Sequence, residues 1–333
     1  MKTSVIGFPR VGTLRELKFA SEKYFRKETG AEELLKEARR LRKTHWTVQK
    51  EAEIDYIPCN DFSFYDTVLD TAVLLGIVPK RYQELNLSAL DTYFAMARGY
   101  QGESGDVKAL AMKKWFNTNY HYIVPEAEDD TKIALVGEKL WEEYEEAKAL
   151  GIETKPVLTG PYTLLKLCRY TGSKTAEDFT DAVIAAYQQV FEKCAAHRIM
   201  WLQLDEPALV RDLSKEDIAL FHKIYENVLP CKKTVRILLQ TYFGDVRDIY
   251  KDLTELPFDG IGLDFIEGKE TVHLIEKYGF PKDKLLFAGL VNGKNIWRNH
   301  YDRTLNQLQQ LTGKGIQTVL SLSLIHISEP TRL

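Results

Sequence analysis

The sequence has few cysteines and none of the cysteine spacings that build a metal or disulfide site. Its four cysteines are Cys59, Cys168, Cys194 and Cys231. They form no CxxC pair and no short cluster with histidine, which argues against a structural zinc site and against a disulfide framework. Isolated thiols of this kind are typical of a reducing compartment, so we expect a cytoplasmic protein.

Long apolar runs and an excess of one charge are also lacking. No stretch approaches the roughly 18 apolar residues that cross a bilayer, and the opening MKTSVIGFPR turns at Gly7 and Pro9 instead of forming an export leader. Lys and Arg number 45 against 48 Asp and Glu, for a formal net charge of -3. This near balance argues against a nucleic acid or a membrane surface as partner, so any anion site must be local.

Short apolar runs that end in turn residues recur along the chain, with amphipathic stretches between them, as in parallel βα units. The runs cover residues 3 to 9, 54 to 61, 154 to 161, 199 to 207, 235 to 243, 260 to 265, 284 to 291 and 317 to 323. Eight strands followed by helices favour an α/β fold of the closed (β/α)8 TIM-barrel type. An open doubly wound sheet is the alternative, but GFPRVG follows the first strand in place of the GxGxxG of a dinucleotide site.

The interval between the second and third strands is much longer than the others. Residues 62 to 153 contain three stretches of helical periodicity and one Gly-rich segment, 99 to 106, which we expect to be a surface loop. The sequence therefore predicts a helical insertion between strands 2 and 3 of the barrel. Helices are also predicted at residues 31 to 52 and 174 to 198, the second with Ser173 or Thr175 as its N-cap.

Polar side chains stand at the predicted C-terminal ends of the strands, where barrel enzymes place their sites. They are Arg10, Asn60, Asp61, Thr159, Asp205, Glu206, Thr241, Tyr242, Asp264 and Asn292. Adjacent carboxylates such as Asp205 and Glu206 suit amine binding, metal binding or acid–base chemistry, because contact between like charges separates their proton affinities. They equally suit helix capping or bonding to backbone amides, and the residues alone leave both interpretations open.

The segment GFPRVGTLRELK, residues 7 to 18, leaves a strand through a turn and enters a predicted helix that carries Arg10, Arg15 and Lys18. Arg15 and Lys18 are three residues apart and therefore share a helix face. With the amides of a helix N-terminus they would suit a polyanionic ligand. Basic residues on a first helical turn are, however, more commonly only solvated.

A second unusual segment is KKWFNTNYHYIVPE, residues 113 to 126. It mixes aromatic rings with hydrogen-bonding side chains, and such a mixture suits a wall that is apolar in body and polar at its tips. The same composition would serve to pack the insertion against the barrel rim.

Together these motifs resemble the N-terminal half of the cobalamin-independent methionine synthase family. The matching segments are GFPRVG, RELK at 15 to 18, KWFNTNYHYIVPE at 114 to 126, KPVLTGPYT at 155 to 163, QLDEPAL at 203 to 209 and GLVNGKNIWR at 289 to 298. The resemblance covers residues 1 to about 321. It implies transfer of a methyl group from 5-methyltetrahydropteroyltri-L-glutamate, the folate substrate, to homocysteine. It also implies a partner C-terminal barrel, which holds the zinc and homocysteine sites.

The same resemblance assigns the candidate substrate-binding residues. Arg15, Glu16, Leu17 and Lys18 match the family's folate-contacting segment, and Lys114 matches its basic residue in the insertion. A polyglutamate tail is a chain of carboxylates, with which Arg and Lys pair readily. The resemblance thus replaces the solvated interpretation of Arg15 and Lys18.

No catalytic residue and no metal site is expected in this half. The fifth strand, LLQTYF, places Leu239 and Thr241 where the family's second barrel carries its His and Cys zinc ligands. Leucine cannot bind zinc, and a threonine hydroxyl is a poor substitute for a thiolate. Asp205 and Glu206 are accordingly expected to organise the barrel mouth through hydrogen bonds.

The chain departs from the family after the eighth strand, where it continues as SLSLIHISEPTRL. We expect residues 322 to 333 to be an atypical tail from a foreign junction or truncated reading frame, with the last barrel helix missing. The C-terminal catalytic barrel is expected to be absent, which would leave this chain inactive alone. The alternative is a stand-alone folate-binding or scaffold barrel. An unrelated aldolase- or decarboxylase-like barrel would need a strand-end lysine or metal cluster, and none is evident.

Overall fold

The computed structural model of the protein describes residues 1–295 and 297–324, and within them eight parallel strands form one ring. The strands are β1 Lys2–Ser4, β2 Ile57–Cys59, β3 Thr154–Thr159, β4 Trp201–Asp205, β5 Arg236–Gln240, β6 Gly260–Asp264, β7 Leu285–Val291 and β8 Thr318–Leu322. Each strand from β2 to β8 pairs with the next, and β8 pairs with β1. A bridge between Ser4 and Tyr56 closes the ring. The predicted (β/α)8 TIM-type barrel is confirmed, and the open sheet is excluded.

Most residues of strands β2 to β8 are apolar because both faces of these strands are buried. On the lumen side, at the N-terminal end of the ring, Tyr56, Trp201, Leu238, Phe287 and Val319 form a closed cluster. The intervening strand residues instead join the main core between the ring and its helices. This alternation decides which side chains reach the lumen, since successive residues of a strand point to opposite faces.

Helices surround the ring and fill the insertion. They are α1 Glu16–Phe25, α2 Ala31–Glu51, α3 Thr67–Leu74, α4 Lys80–Gln83, α5 Ala89–Arg98, α6 Lys139–Ala149, α7 Pro161–Leu167, α8 Ala176–Ala196, α9 Lys215–Val228, α10 Tyr250–Glu255, α11 Thr271–Tyr278 and α12 Tyr301–Gly313. The predicted helices at 31 to 52 and 174 to 198 are present as α2 and α8. Of the two expected N-caps of α8, Thr175 is the one found, and its amide donates to Asp178 Oδ2 at 2.8 Å.

The insertion between β2 and β3 is not purely helical. Besides α3 to α6 it contains two antiparallel hairpins, Tyr100–Gly102 with Gly105–Val107 and Met112–Lys114 with His121–Ile123. The segment 99 to 106, expected as a loop, forms most of the first hairpin. Its strands are largely exposed, so the sequence carries no apolar alternation that would reveal them. We call residues 112–123 the mouth hairpin.

The last strand lies within the predicted run of 317 to 323 and crosses residue 321, where the family resemblance was expected to end. β8 includes Leu322, the amide of Ser323 donates to Val291 O at 2.8 Å, and Leu324 is buried. The rest of the 322 to 333 segment, and with it the expected loss of the last helix, lies outside the described residues. Within the described ranges, no helix combines the length and apolar character needed to cross a membrane.

Candidate functional site at the barrel mouth

Glu206 caps the helix that follows the neighbouring strand. Its carboxylate accepts hydrogen bonds from the amides of Tyr162 (3.0 Å) and Thr163 (2.7 Å), in the first turn of α7, and from the hydroxyl of Tyr225. Gly160 provides the space, because a Cβ there would lie 2.2 Å from the Glu206 carboxyl carbon. The TGP segment after β3 and the DEP segment after β4 therefore form one structural unit. Of the interpretations left open, amide bonding is the one found for Glu206.

Asp205 lies at the mouth of the lumen beside two hydrogen-bond donors. Gln203 Nε2 donates to its Oδ1 at 2.7 Å, and the Tyr242 hydroxyl donates to its Oδ2 at 3.1 Å. Burial raises the pKa of Asp205 to about 7, although both hydrogen bonds and the charge of Lys155 act in the opposite direction. The carboxyl is thus held by the chain itself, as expected for a group that organises the mouth.

A buried lysine lies below Asp205. Lys155 Nζ donates to Val5 O at 2.9 Å and to the side-chain oxygen of Gln203, and burial lowers its pKa to about 8. Gln203 in turn donates to Ile6 O at 3.2 Å. A continuous polar chain therefore fills the lumen under the mouth. Sequence analysis missed Lys155, whose signal was a single charge inside the apolar strand KPVLT.

Side chains of the fifth strand alternate between the lumen and the core outside the ring. Leu239 joins the core between the ring and its helices, whereas Leu238 belongs to the lumen cluster. By alternation the lumen-facing residues at the strand end are Gln240 and Tyr242, and the Tyr242 hydroxyl indeed reaches Asp205. Neither offers a thiolate or an imidazole. In residues 1–295 and 297–324 no three His, Cys, Asp or Glu side chains group to hold a metal ion.

The mouth hairpin covers the end of the lumen. Trp115 packs against the cluster of Ile6, Tyr242 and Leu324, which come from the ends of β1, β5 and β8. Beside it, Phe116 stacks on Phe243 with ring centroids 5.4 Å apart and planes inclined by 25°. Packing against the barrel rim, one of the two interpretations of this segment, is therefore what these aromatic side chains do.

Arg15, the first of the candidate folate residues, precedes α1 instead of lying in it. Its backbone is left-handed, with φ of 65°, and the helix begins at Glu16. The chain turns there because Gly12, at φ of 84°, lets the Arg15 amide donate to Gly12 O at 3.2 Å. The expectation that Arg15 and Lys18 share a helix face therefore does not hold.

Within the described part of the chain, the Nε atom of Arg15 is buried without a hydrogen-bond partner, and the guanidinium forms no ion pair. Among the same residues, the only ion pair of Lys18 is a 3.9 Å contact with Glu22 between half-exposed side chains. Both cations are thus available to an anion.

Glu16 and Leu17 serve the structure of the segment. Glu16 accepts from the Leu14 amide at 2.9 Å and lies 3.5 Å from Arg40. Leu17 is buried with Ala38, Leu41 and Phe62, which fixes α1 on α2. Of the four matched residues, only Arg15 and Lys18 have the chemistry of a carboxylate clamp.

Lys114 lies on the first strand of the mouth hairpin, opposite His121, and is exposed. Phe64 packs against the cluster that contains Leu17 and also against the cluster that contains Ile123 of the same hairpin. This packing links α1 to the hairpin, but no hydrogen bond or ion pair among the described residues joins Lys114 to Arg15 or Lys18.

A cavity lies at the opposite end of the ring. It measures about 550 Å³ and is lined by residues at the N-terminal ends of the strands, including Lys2, Trp201 and Arg236. Barrel enzymes place their chemistry at the C-terminal ends of the strands, so the size of this cavity does not make it the candidate site.

This fold and site define the class of protein: a (β/α)8 barrel with a hairpin over its mouth and no metal cluster in its described residues. The chain belongs to the family described as cobalamin-independent synthase, N-terminal domain, which matches residues 2–315.

Similar proteins agree with this membership. The 5-methyltetrahydropteroyltriglutamate–homocysteine methyltransferase of Streptococcus suis is 58% identical over 327 residues, and that of Streptococcus pneumoniae is 56% identical. Both alignments cover 98% of this chain and 44% of the relative, so the chain spans less than half the length of these relatives.

Two solved structures share the fold. A putative vitamin-B12 independent methionine synthase from Listeria monocytogenes has a TM-score of 0.66 at 16% identity, covering 97% of this chain and 89% of that one. A B12-independent methionine synthase from a Shewanella species has a TM-score of 0.62 at 12% identity, covering 89% and 83%. At such identities the likeness concerns the fold alone.

Proposed function

We propose that this chain is the folate-polyglutamate-binding half of a methyltransferase that makes methionine. In the complete reaction the bond from the methyl carbon to N5 of 5-methyltetrahydropteroyltriglutamate breaks as a bond to the homocysteine sulfur forms. The thiol loses its proton, and N5 keeps the electron pair of the broken bond and takes up a proton. The chain contributes the site for the glutamate tail, and a C-terminal barrel contributes the thiol chemistry. The names of the relatives and the family membership support this role.

The observation that carries the proposal is the buried Nε atom of Arg15, which has no hydrogen-bond partner among residues 1–295 and 297–324. A buried polar atom without a partner costs free energy, so such atoms are uncommon in native proteins unless a ligand satisfies them. Arg15 is held in the left-handed region, which costs about 1–2 kcal/mol for a residue other than glycine. Strain and an unmet donor together mark a residue kept for binding. A carboxylate of the folate tail supplies the missing acceptor.

The zinc of this family is assigned to the C-terminal barrel, since the residues of this chain do not fit it. The lumen-facing side chains at the end of β5 are an amide and a phenol, Gln240 and Tyr242. The nearby Asp205 and Glu206 are already held by hydrogen bonds from the chain. Zinc sites need imidazole, thiolate or free carboxylate ligands in a tetrahedral set. We therefore derive no catalytic step through a metal here.

The tail-clamp role is tested by charge reversal. We expect Arg15→Glu with Lys18→Glu to weaken binding of the triglutamate folate far more than binding of the monoglutamate, because only the longer tail brings extra carboxylates to the clamp. Isothermal titration of the full chain with both ligands measures the ratio. The matched control is Lys23→Glu with Lys36→Glu, an equal charge change on exposed positions of α1 and α2. Equal losses for the two ligands would refute the clamp.

The division of labour between the barrels has a separate test. The purified chain should form no methionine from homocysteine and the triglutamate folate, and should hold no stoichiometric zinc. Activity, or zinc retained through dialysis, would contradict the proposal. Gene sequence beyond codon 333 separates it from a stand-alone folate-binding or scaffold barrel, because an in-frame second barrel with His and Cys ligands supports the methyltransferase.

A further inference from the structure

One carboxylate joins the mouth hairpin to two loops of the barrel. Glu267, in the loop after β6, accepts from Asn117 Nδ2 at 2.7 Å through one oxygen and from Lys294 Nζ at 2.6 Å through the other. Lys294, in the segment after β7, also reaches Asn117 Oδ1 at 3.5 Å. These contacts span positions far apart in the chain, and sequence analysis singled out none of the three side chains.

The two loops are themselves fixed by residues at the strand ends. Asp264 Oδ1 accepts from the amides of Ile266 (2.8 Å) and Glu267 (3.0 Å), and Asn292 Oδ1 accepts from the amide of Lys294 at 2.8 Å. A carboxylate that receives backbone amides in this way holds a loop in one conformation. Glu267 and Lys294 are therefore presented to the hairpin from rigid supports.

We call the contacts among Asn117, Glu267 and Lys294 the latch. On the hairpin, the latch residue Asn117 is close in sequence to Lys114. The turn between them is held by the Trp115 amide, which donates to Tyr120 O at 2.7 Å, and by Thr118 Oγ1, which donates to Trp115 O at 2.6 Å. Asn117 thus belongs to the same small, cross-bonded unit as Lys114. Fixing one end of this unit restricts the other.

The hairpin position is also under strain. The rings of Phe116, in the mouth hairpin, and Phe243, after β5, stack on each other, and the backbones of these two residues have positive φ of 50° and 78°. Such conformations cost about 1–3 kcal/mol each in residues other than glycine, so they persist only where surrounding contacts impose them. The contacts at these two residues are the stacking of their rings and the hydrogen bond from the Phe243 amide to Asp264 Oδ2 at 3.1 Å.

We infer that Glu267 is a positioning residue: it holds the mouth hairpin across the barrel and thereby sets how tightly Lys114 grips the outer glutamates of a folate tail. This inference rests on the proposed function for its ligand, but its mechanical part concerns the chain alone. Glu267 touches no substrate, and it acts through the hairpin. The two parts have separate readouts.

The mechanical part is tested by hydrogen exchange on the full chain. Glu267→Ala should raise deuterium uptake of backbone amides in residues 112–123 by roughly three- to tenfold in rate, the size expected for loss of charge-assisted hydrogen bonds at a partly exposed site. Asn117→Ala should give a smaller rise. The double variant should exchange no faster than Glu267→Ala, because both changes break the same latch. Unchanged uptake in Glu267→Ala would overturn the inference.

A matched control excludes general loosening. Glu276 of α11 pairs with Lys314 at 3.4 Å on the outer surface, so Glu276→Ala removes a carboxylate of the same kind far from the hairpin. It should leave exchange of residues 112–123 at the wild-type rate. Thermal unfolding of each variant confirms that the comparison is between folded proteins.

The binding part is tested with mono- and triglutamate forms of 5-methyltetrahydrofolate. Glu267→Ala should weaken triglutamate binding by roughly threefold or more and leave monoglutamate binding within about twofold. Glu267→Gln keeps one acceptor oxygen, so its triglutamate affinity should lie between those of the wild type and Glu267→Ala. A wild-type preference for the triglutamate that survives unchanged in Glu267→Ala would overturn the inference. A wild-type chain with no such preference would instead contradict the proposed function, and the exchange result would still decide the latch.

Discussion

Two buried polar groups at the same end of the molecule differ in how they are satisfied. Glu206, at the end of β4, faces three donors from α7 and α9, whereas the buried Nε of Arg15, before α1, has no partner. The first arrangement stabilises the fold, because every donor around the carboxylate is used. The second arrangement leaves a hydrogen-bond donor without an acceptor. On the proposed function, the difference separates a carboxylate that stabilises the fold from a cation that binds a ligand.

Removing Glu206 should have the largest effect on stability. Glu206→Ala leaves the amides of Tyr162 and Thr163 and a tyrosine hydroxyl without an acceptor. We expect a loss of about 3–5 kcal/mol in the free energy of unfolding. Urea denaturation measures it. The control Glu142→Ala, at an exposed position of α6, should change stability by less than about 0.5 kcal/mol. A loss from Glu206→Ala no larger than the control's would remove the architectural side of the comparison.

Gly12→Ala should have the next largest effect on stability, because it strains the turn that precedes Arg15. Gly12 has φ of 84°, and a Cβ there would lie 2.2 Å from Glu16 Oε2 and 2.9 Å from Leu41 Cδ2. We expect a loss of about 1–3 kcal/mol, with weaker triglutamate binding as the turn shifts. The matched control is Gly313→Ala, at the end of α12, where an added Cβ meets nothing within 4 Å. Urea denaturation and titration with the triglutamate folate on the same samples show whether the loss of stability and the loss of affinity occur together.

Asp205→Asn should change the pH dependence of stability. Burial raises the pKa of Asp205 to about 7, above its ordinary value of 3.8. The folded state thus binds the proton more tightly than the unfolded state, so this contribution is present below about pH 4 and is lost as pH rises to 7. Between pH 5 and 7.5 the wild type should lose about 2.5 kcal/mol more than Asp205→Asn, because one pKa unit corresponds to about 1.4 kcal/mol. Unfolding curves at the two pH values give the difference, and parallel pH profiles would show that Asp205 does not titrate in this range.

Arg15→Met should have the smallest effect on stability and the clearest effect on binding. Methionine retains the apolar stem and removes a donor that lacks an acceptor, so the free energy of unfolding should stay within about 0.5 kcal/mol of wild type or rise. Triglutamate affinity should fall. If Arg15→Met destabilised the chain as much as Glu206→Ala, the two groups would have the same role and the contrast between them would disappear.

The sequence predicted the ring well because its signals are local. Each of the eight predicted runs overlaps one observed strand, since a strand buried on both faces is apolar and ends in turn residues. The N-cap of α8 and the boundaries of α2 were likewise detectable from neighbouring residues.

Features that depend on distant contacts were beyond this reasoning. The short hairpins of the insertion have mostly exposed strands, and the latch joins Asn117, Glu267 and Lys294 across three separate loops. The left-handed conformation of Arg15 follows from the turn at Gly12, which spacing alone does not reveal. The alternation of β5, which places Leu238 in the lumen and Leu239 in the core outside the ring, is by contrast a local feature of the strand.

The closure of the ring constrains how the chain is made. β1 has only three residues, and it pairs with β8, at the opposite end of the described chain, with Lys2 beside Val319. Proteins are synthesised from the N-terminus, at about 5–20 residues per second. The first strand therefore leaves the ribosome long before the neighbour that completes its hydrogen bonding. Until that last strand emerges, an incomplete sheet with two open edges must be shielded from other nascent chains.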